Sequence, residues 1–354
     1  MSEPLTAAAA VALLGRLRSG RGADELGAPV GRPVLLVDLD EPVRDLALQP
    51  PAGWPVVIVA TSSAPTAPAA PCGADVLISA AADPPAPWVG VPGGGMGAAA
   101  AARTVEAAVG ASPQAATTLA QVLRAGSALG PSEALVLESL AYSTLQSGVE
   151  HQTWLEGRPV RRADTRSDPV VQLDRQGDEL WVTLDRPERR NAYSARMRDE
   201  LVVALQLAAA DPTVTAVHLA GRGPNFSSGG DLAEFGTRPD PAAAHGIRVQ
   251  HSAGWWIDRL KPRVTVHLHG ACVGAGIELA AFAGVVEATE GTTMSLPEVG
   301  MGLIPGAGGT ASIPRRIGRP RTAWLAITGH HLDAATACQW GLVDRLVPAP
   351  ETAD

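Results

Sequence analysis

Three glycine-rich stretches of this 354-residue chain each carry an acid: NFSSGGDLAEF (225–235) with Asp231, HGACVGAGIEL (269–279) with Glu278, and SLPEVGMGLIPGAGGT (295–310) with Glu298. Glycines at a strand-to-helix turn let a ligand approach backbone N–H groups, and the positive end of the helix adds to the attraction. Two such turns facing each other can aim two N–H donors at one oxygen, which is the arrangement of an oxyanion hole. An acid beside that oxygen can transfer protons, and two acids can divide the acid and base roles. Each acid alone also has a plainer reading, Glu278 as a first-turn residue favoured by the helix dipole and Glu298 as a loop carboxylate. None of the stretches is a phosphate loop, because no Gly-Lys-Ser/Thr follows, and GACVGAG lacks the spacing and acidic partner of a dinucleotide fingerprint.

The elements that must position these acids become legible from about residue 169, where strands and helices alternate. VVQLDRQGDELWVTLDRP reads as a hairpin around Gln176-Gly177-Asp178, and SARMRDELVVALQLAAAD as an amphipathic helix capped by Ser194. VTAVHLAG and RVTVHLHG read as strands, and GAGIELAAFAG as the helix that follows. Such alternation predicts an α/β layered fold. Upstream, residues 1 to about 112 are rich in Ala, Pro and Gly with short β-type runs at 33–40, 54–61 and 74–79. Residues 113–156 read as two helices broken at Gly130-Pro131, the second with an apolar stripe of Leu137, Leu140, Ala141 and Leu145. Residues 157–168 read as a charged linker.

Composition narrows the function. Apolar residues make up 46% and charged ones 18%, as in a globular protein. The net charge of −8 argues against a nucleic-acid or anionic-membrane partner. Lys261 is the single lysine among 28 basic residues, which reflects base composition more than chemistry. Cys72, Cys272 and Cys338 lie far apart without metal-ligand spacing and read as reduced thiols. The stretch MSEPLTAAAAVALLGRLRSG has too few apolar residues to span a bilayer and no basic n-region, so it reads as a helix of a soluble, cytoplasmic protein. His267 and His269 share a strand face with no third ligand in view, so strand packing is expected and no metal site. Trp255-Trp256 could line a pocket, and is read as core.

Taken together, the motifs resemble the crotonase (enoyl-CoA hydratase/isomerase) superfamily over about 169–348. LDRPERRNAYSARM, AGRGPNFSSGGDLAEF, KPRVTVHLHGACVGAGIEL, MSLPEVGMGLIPGAGGT and ITGHHLDAATACQWGLVDRLVP stand in that family's order and spacing. The resemblance implies a crotonase-like α/β fold of repeated ββα units. It implies an oxyanion hole from the backbone N–H groups of Gly230 and Ala275, with Glu278 and Glu298 as the two acids of a hydratase. It places Arg189, Arg190, Ala192, Ser228, Asp231 and Gly309 in CoA or substrate binding. The implied reaction is hydration of a 2-enoyl-CoA, with coenzyme A as part of the substrate, no separate cofactor, and a homo-oligomeric assembly (trimer-based or dimer). Other crotonase-type reactions on acyl-CoA and a non-catalytic partner subunit stay open.

The chain departs from the family at both ends. Family members continue past the position of GLVDRLVP with further helices, and here some 168 residues come first. SALGPSEALVLESLAYSTLQSGVEHQTWLEGR resembles that tail. The expectation is a catalytic core at 169–350 and an accessory region at 1–160. This accessory region is a degenerate crotonase-like half without a second active site, whose last helices stand in for the tail in cis or in trans.

Overall fold

The computed structural model describes residues 3–21, 24–40, 47–50, 53–70, 73–81, 83–91, 94–159, 168–237 and 240–348, and of 94 and 95 the backbone only. Cys72 and residues 160–167 of the charged linker lie outside the described residues.

The N-terminal part is built on a five-stranded sheet, β1 (Leu5–Thr6), β2 (Val34–Asp38), β3 (Val57–Ser62), β4 (Val76–Ser79) and β5 (Val89–Gly90), in that order and all parallel. The inner strands are near-continuous apolar runs because both sheet faces are covered. On one side α1 (Ala7–Arg18) buries Ala10, Leu13, Leu14 and Leu17. Residues of α2 (Gly94–Ala111) and α3 (Pro113–Gly126) join the main core on the other. The helix α2 falls where the sequence shows only small residues. The segment after Gly130-Pro131 is two helices, not one: α4 (Pro131–Gln146) and α5 (Val149–Glu156), separated at Ser147-Gly148.

The second part begins with the expected hairpin, β6 (Val171–Gln176) and β7 (Glu179–Leu184), its turn narrowed to Gly177-Asp178. Next come α6 (Ala195–Ala210), β8 (Ala216–Gly221), α7 (Pro241–Gln250), α8 (Ala253–Arg259) and β9 (Val264–Leu268). Ser194 Oγ accepts from Met197 N at 3.2 Å, so α6 starts where the sequence predicts. The chain continues through β10 (Ala271–Val273), α9 (Ala275–Ala280), β11 (Val285–Thr289), β12 (Thr293–Ser295), α10 (Gly309–Ser312), α11 (Pro314–Ile317), α12 (Arg319–Thr328), β13 (Leu332–Asp333), α13 (Ala334–Trp340) and β14 (Arg345–Val347).

Two sheets result. One has the order β14-β11-β9-β8-β7-β6 and is parallel except at the β6–β7 hairpin; the other has the order β10-β12-β13. Apolar residues of α2, α3 and α4 belong to the same buried cluster as those of both these sheets. The N-terminal helices are therefore part of the core that supports the acids. Among the described residues no helix is long and apolar enough to cross a membrane.

His267 lies in β9, with its ring stacked near Trp181 and His218, whereas His269 lies past the strand end, its Nε2 2.8 Å from Gly223 O. Among the described residues no group of three or more metal-ligating side chains is assembled.

Candidate active site

The three acid-bearing glycine stretches meet at one cavity of ≈ 850 Å³, lined among others by Gly230, Asp231, Ala275, Glu278 and Glu298. Their meeting follows from backbone pairing. Ser227 bridges Cys272 in parallel, with Ser227 N donating to Ala271 O at 3.2 Å and Val273 N to Ser227 O at 2.9 Å. Each chain then turns at a glycine with positive φ, Gly229 at 84° and Gly274 at 48°. Gly230 and Ala275 follow directly, and both line the cavity. The Ala275 N–H opens α9 and has no intrahelical acceptor.

Glu278 is buried in the first turn of α9. Its Oε2 accepts from Ala307 N at 2.7 Å and Gly309 N at 2.9 Å. A methyl group at Gly309 would stand 2.7 Å from Glu278 Cγ, so the glycine is what lets the loop backbone reach the carboxylate. The glycines of this loop thus bring N–H donors to an acid, which gives them a use beyond leaving space for a ligand. Glu298 begins a short 3₁₀ turn, Glu298–Met301. The residue as a whole is half-buried, yet its Oε2 is shut off from solvent with no hydrogen-bond partner among the described residues. Both carboxyls crowd Gly274: a Cβ there would collide with Glu298 Oε1 and lie 3.8 Å from Glu278 Oε1.

A third buried glutamate, Glu138 of α4, completes this cluster, and sequence reasoning did not single it out. Its Oε1 accepts from Gly308 N at 2.7 Å, and its Oε2 from Thr310 N at 2.8 Å and Thr310 Oγ1 at 2.7 Å. The four successive N–H groups of 307–310 therefore alternate between Glu278 and Glu138. The buried face of α4 holds Glu138, Ser139 and Ser143, whereas Leu140 of the expected apolar stripe is 50% exposed. Polar residues face inward because the helix lines the cavity. The visible signal for Glu138 was its place in the stretch that resembles the family's tail.

Burial and the Glu278 charge push the Glu138 carboxyl up to about 8 against the pull of its three donors. Burial raises Glu278 to about 7, opposed by its two N–H donors. Glu298 is raised well above the ordinary value, by burial first and by the Glu278 charge second. Glu298, with an oxygen that has no hydrogen-bond partner among the described residues and the Glu278 charge nearby, has its ionised form disfavoured.

The α4–α5 region and the residues just after it hold two of the three acid-bearing segments. Besides Glu138 on the 307–310 loop, His151 Nδ1 of α5 lies 2.9 Å from Met301 O at the Glu298 turn. Arg158 donates to Leu232 O at 2.5 Å and Phe235 O at 2.8 Å, just past Gly230 and Asp231.

A profile of the enoyl-CoA hydratase/isomerase family matches residues 177–354, half of the chain. The chain belongs to this family. It is 32% identical to the 2,3-dehydroadipyl-CoA hydratase of Escherichia coli K12 over 180 residues, 51% of this chain and 70% of that protein. To the 1,2-epoxyphenylacetyl-CoA isomerase of the same organism it is 34% identical over 180 residues, 49% of this chain and 68% of that protein. The crystal structure of an enoyl-CoA hydratase from Thermoplasma volcanium GSS1 aligns at 32% identity and a TM-score of 0.48, covering 51% of this chain and 73% of that one. The chain therefore spans about two thirds of the length of the relatives it matches, and those relatives include both hydratases and isomerases of the enoyl-CoA hydratase/isomerase family.

Other site residues expected for this family separate into two groups. Arg189, Arg190, Ala192 and Ser228 cluster with one another beside the cavity, with Ser228 N donating to Arg190 O at 2.9 Å, but they do not line it. Ala192 is buried, and its carbonyl accepts from the Arg186 guanidinium at 2.9 Å. Asp231 does line the cavity, yet its carboxylate is paired with buried Arg186 at 3.0 Å, which fixes the loop after Gly230. Gly309 supports Glu278 from behind. Trp255 and Trp256 are half-buried with rings perpendicular at 4.9 Å; both line the cavity, and Trp256 also packs against the main core, as expected.

Proposed function

We propose that this protein hydrates a 2-enoyl-CoA thioester to the β-hydroxyacyl-CoA, with coenzyme A as part of the substrate and no further cofactor. The observation that carries this is the pairing of two differently held carboxyls, Glu278 and Glu298, at one cavity beside two free backbone N–H groups. The thioester carbonyl sits between Gly230 N–H and Ala275 N–H, whose donors stabilise the enolate oxygen as it forms. Glu278, oriented by two N–H bonds through one oxygen, has its other oxygen free to take a proton from water. The water oxygen bonds to the β-carbon, and the π electrons move through the α-carbon onto the carbonyl oxygen. Glu298, protonated because burial and the neighbouring charge disfavour its ionised form, donates that proton to the α-carbon as the carbonyl re-forms. Glu278 ends protonated and Glu298 ionised, and a proton passing from Glu278 by way of solvent to Glu298 resets the site.

In the same reading, α3, α4 and α5 stand in, within one chain, for the helices that follow the matched region in relatives. Support comes from Glu138, His151 and Arg158, each bound to a segment that carries a site residue.

The test is incubation with crotonyl-CoA while the enoyl-thioester absorbance is followed, with Glu278→Gln and Glu298→Gln beside the wild type. Hydration lost in both variants is the expected result. Turnover that survives in either overturns the two-acid mechanism. Tight acyl-CoA binding without turnover points to another reaction of the family, and no CoA binding points to a non-catalytic partner.

A further inference from the structure

The cavity that holds the acids also carries a cation. Arg248 of α7 lines it, with its guanidinium carbon 4.5 Å from the centroid of the Tyr142 ring. Its Nε donates to Ser139 Oγ at 3.2 Å, one Nη to Gln146 Oε1 at 3.2 Å, and the other to Ser139 O at 3.4 Å and to Ser143 Oγ. All four acceptors are neutral and belong to α4. A guanidinium carries five N–H donors, so one on the Gln146-bound nitrogen is left over.

Among the described residues no carboxylate lies within ion-pair distance of Arg248. The other arginine at this cavity, Arg198, is paired with Asp199 at 2.8 Å, and buried Arg186 with Asp231 at 3.0 Å. Glu138, raised to about 8, acts on Arg248 without pairing with it, and a largely desolvated cation with no paired counter-charge is costly, a cost relieved when an anion arrives beside it. Here the cation is also held in a fixed pose by four acceptors and an aromatic face, so little ordering is left for binding.

The Tyr142 ring meets the Arg248 guanidinium and also packs on Gly306, next to the Ala307 N–H that Glu278 accepts. Tyr142 and Arg248 line the same cavity as Gly230 and Ala275, so an acyl chain whose carbonyl is held there shares that cavity with the guanidinium. The loop expected to meet coenzyme A, Arg189 to Ala192, stands outside the cavity lining. An anion at Arg248 is therefore assigned to the acyl group and not to a CoA phosphate.

We infer that Arg248 recognises a carboxylate at the far end of the acyl chain, so that the substrate class is the CoA monothioester of a dicarboxylic acid. This rests on the acyl-CoA reading above and deepens it.

Calorimetric titration tests it without requiring turnover. Succinyl-, glutaryl- and adipyl-CoA are compared with butyryl-, valeryl- and hexanoyl-CoA of equal chain length, in wild type, Arg248→Gln and Arg248→Lys. At least one dicarboxylic ester is expected to bind about tenfold or more tighter than its fatty counterpart, as for a desolvated charge-assisted contact. Arg248→Gln removes that ratio, and Arg248→Lys, which keeps the charge without the fork, retains part of it. Equal affinity for both series in the wild type overturns the inference. So does a ratio that survives Arg248→Gln, or a loss in Arg248→Gln that is the same for CoA alone, which would make the guanidinium a phosphate contact. A preference for the dicarboxylic esters without hydration of crotonyl-CoA or of an enoyl dicarboxylic ester would sink the hydratase reading and leave this inference standing. No binding of any ester sinks both.

Discussion

Glu278 and Glu138 approach one loop from opposite halves of the chain and take alternate N–H groups from it, yet they differ in what they leave free. Glu278 binds through a single oxygen and keeps the other for the cavity. Glu138 accepts with both, three bonds in all. The same side chain on the same loop is thereby left with one oxygen open in one case, as the proposed proton transfer requires, and fully engaged in holding the loop in the other. Count of donors, more than burial, separates the two, since both are buried and both are raised toward or past neutrality.

The harshest test of that contrast removes one side of it. A fragment of residues 165–354 lacks Glu138, His151 and Arg158 and exposes the apolar surface that α3 and α4 cover. It is expected to aggregate or to show no hydratase activity, as judged by size-exclusion chromatography and turnover. A soluble, monodisperse and fully active fragment would end the claim that the N-terminal helices complete the site. Next in size is Glu278→Gln, which can keep both N–H bonds with its amide oxygen and loses only its basicity. Its melting temperature should stay near wild type while kcat falls about 10²–10⁴-fold, the usual range for a general base.

Glu138→Gln inverts this pattern. An amide presents one acceptor oxygen where two are needed, so at least one buried N–H of the loop loses its partner at a cost of about 1–3 kcal/mol. Chemical denaturation should register that loss, and kcat should fall less than in Glu278→Gln. If the two variants behave alike in both assays, the division of roles is wrong. Gly309→Ala probes the loop itself. The added methyl meets Glu278 Cγ at 2.7 Å, and a destabilisation of about 1–3 kcal/mol is expected from overpacking. An unchanged denaturation midpoint would contradict the close approach described here.

The smallest effect is in pH. All three carboxyls have folded-state values raised above the ordinary 4.5, so folding favours their protonated forms. Their contribution is intact below about pH 4.5 and declines as pH rises through about 7 for Glu278 and about 8 for Glu138. Melting temperature should therefore drift down between pH 6 and pH 9, on the order of a few degrees, and Glu298→Gln should flatten the drift. A slope identical to wild type in Glu298→Gln would show that this residue is ionised throughout.

Much of the second half was legible because local signals agree there. Alternating strand patterns, the Ser194 cap and the acids beside glycine turns point to the same elements that the fold contains. The pairing of Ser227 with Cys272, which brings Gly230 to Ala275, is implied by the motif resemblance and not by either stretch alone. The N-terminal part was harder. Its helix α2 is nearly all Ala and Gly at the start, with too little amphipathic contrast to read, and the break at Ser147-Gly148 has no proline to mark it. On α4 the periodic leucines drew attention to a face that includes exposed Leu140, because helix periodicity assumes an apolar interior. Here part of the interior is a polar site wall, where Glu138, Ser139 and Ser143 are buried alongside Ala134 and Leu145 of the same helix.

The bonds from Glu138 to Thr310 join residues 172 positions apart. Synthesis therefore produces the clamping helix long before the loop it clamps. The parallel sheet and α1 have their own apolar cluster and can settle while the ribosome is still extending the chain. Helix α4 must wait with Glu138 lacking its partners until the last third of the sequence has emerged. Closure over so long a separation belongs to the slow, high-contact-order end of folding. The acids thus come together only after residue 310 has emerged, and a shorter nascent chain holds no assembled site.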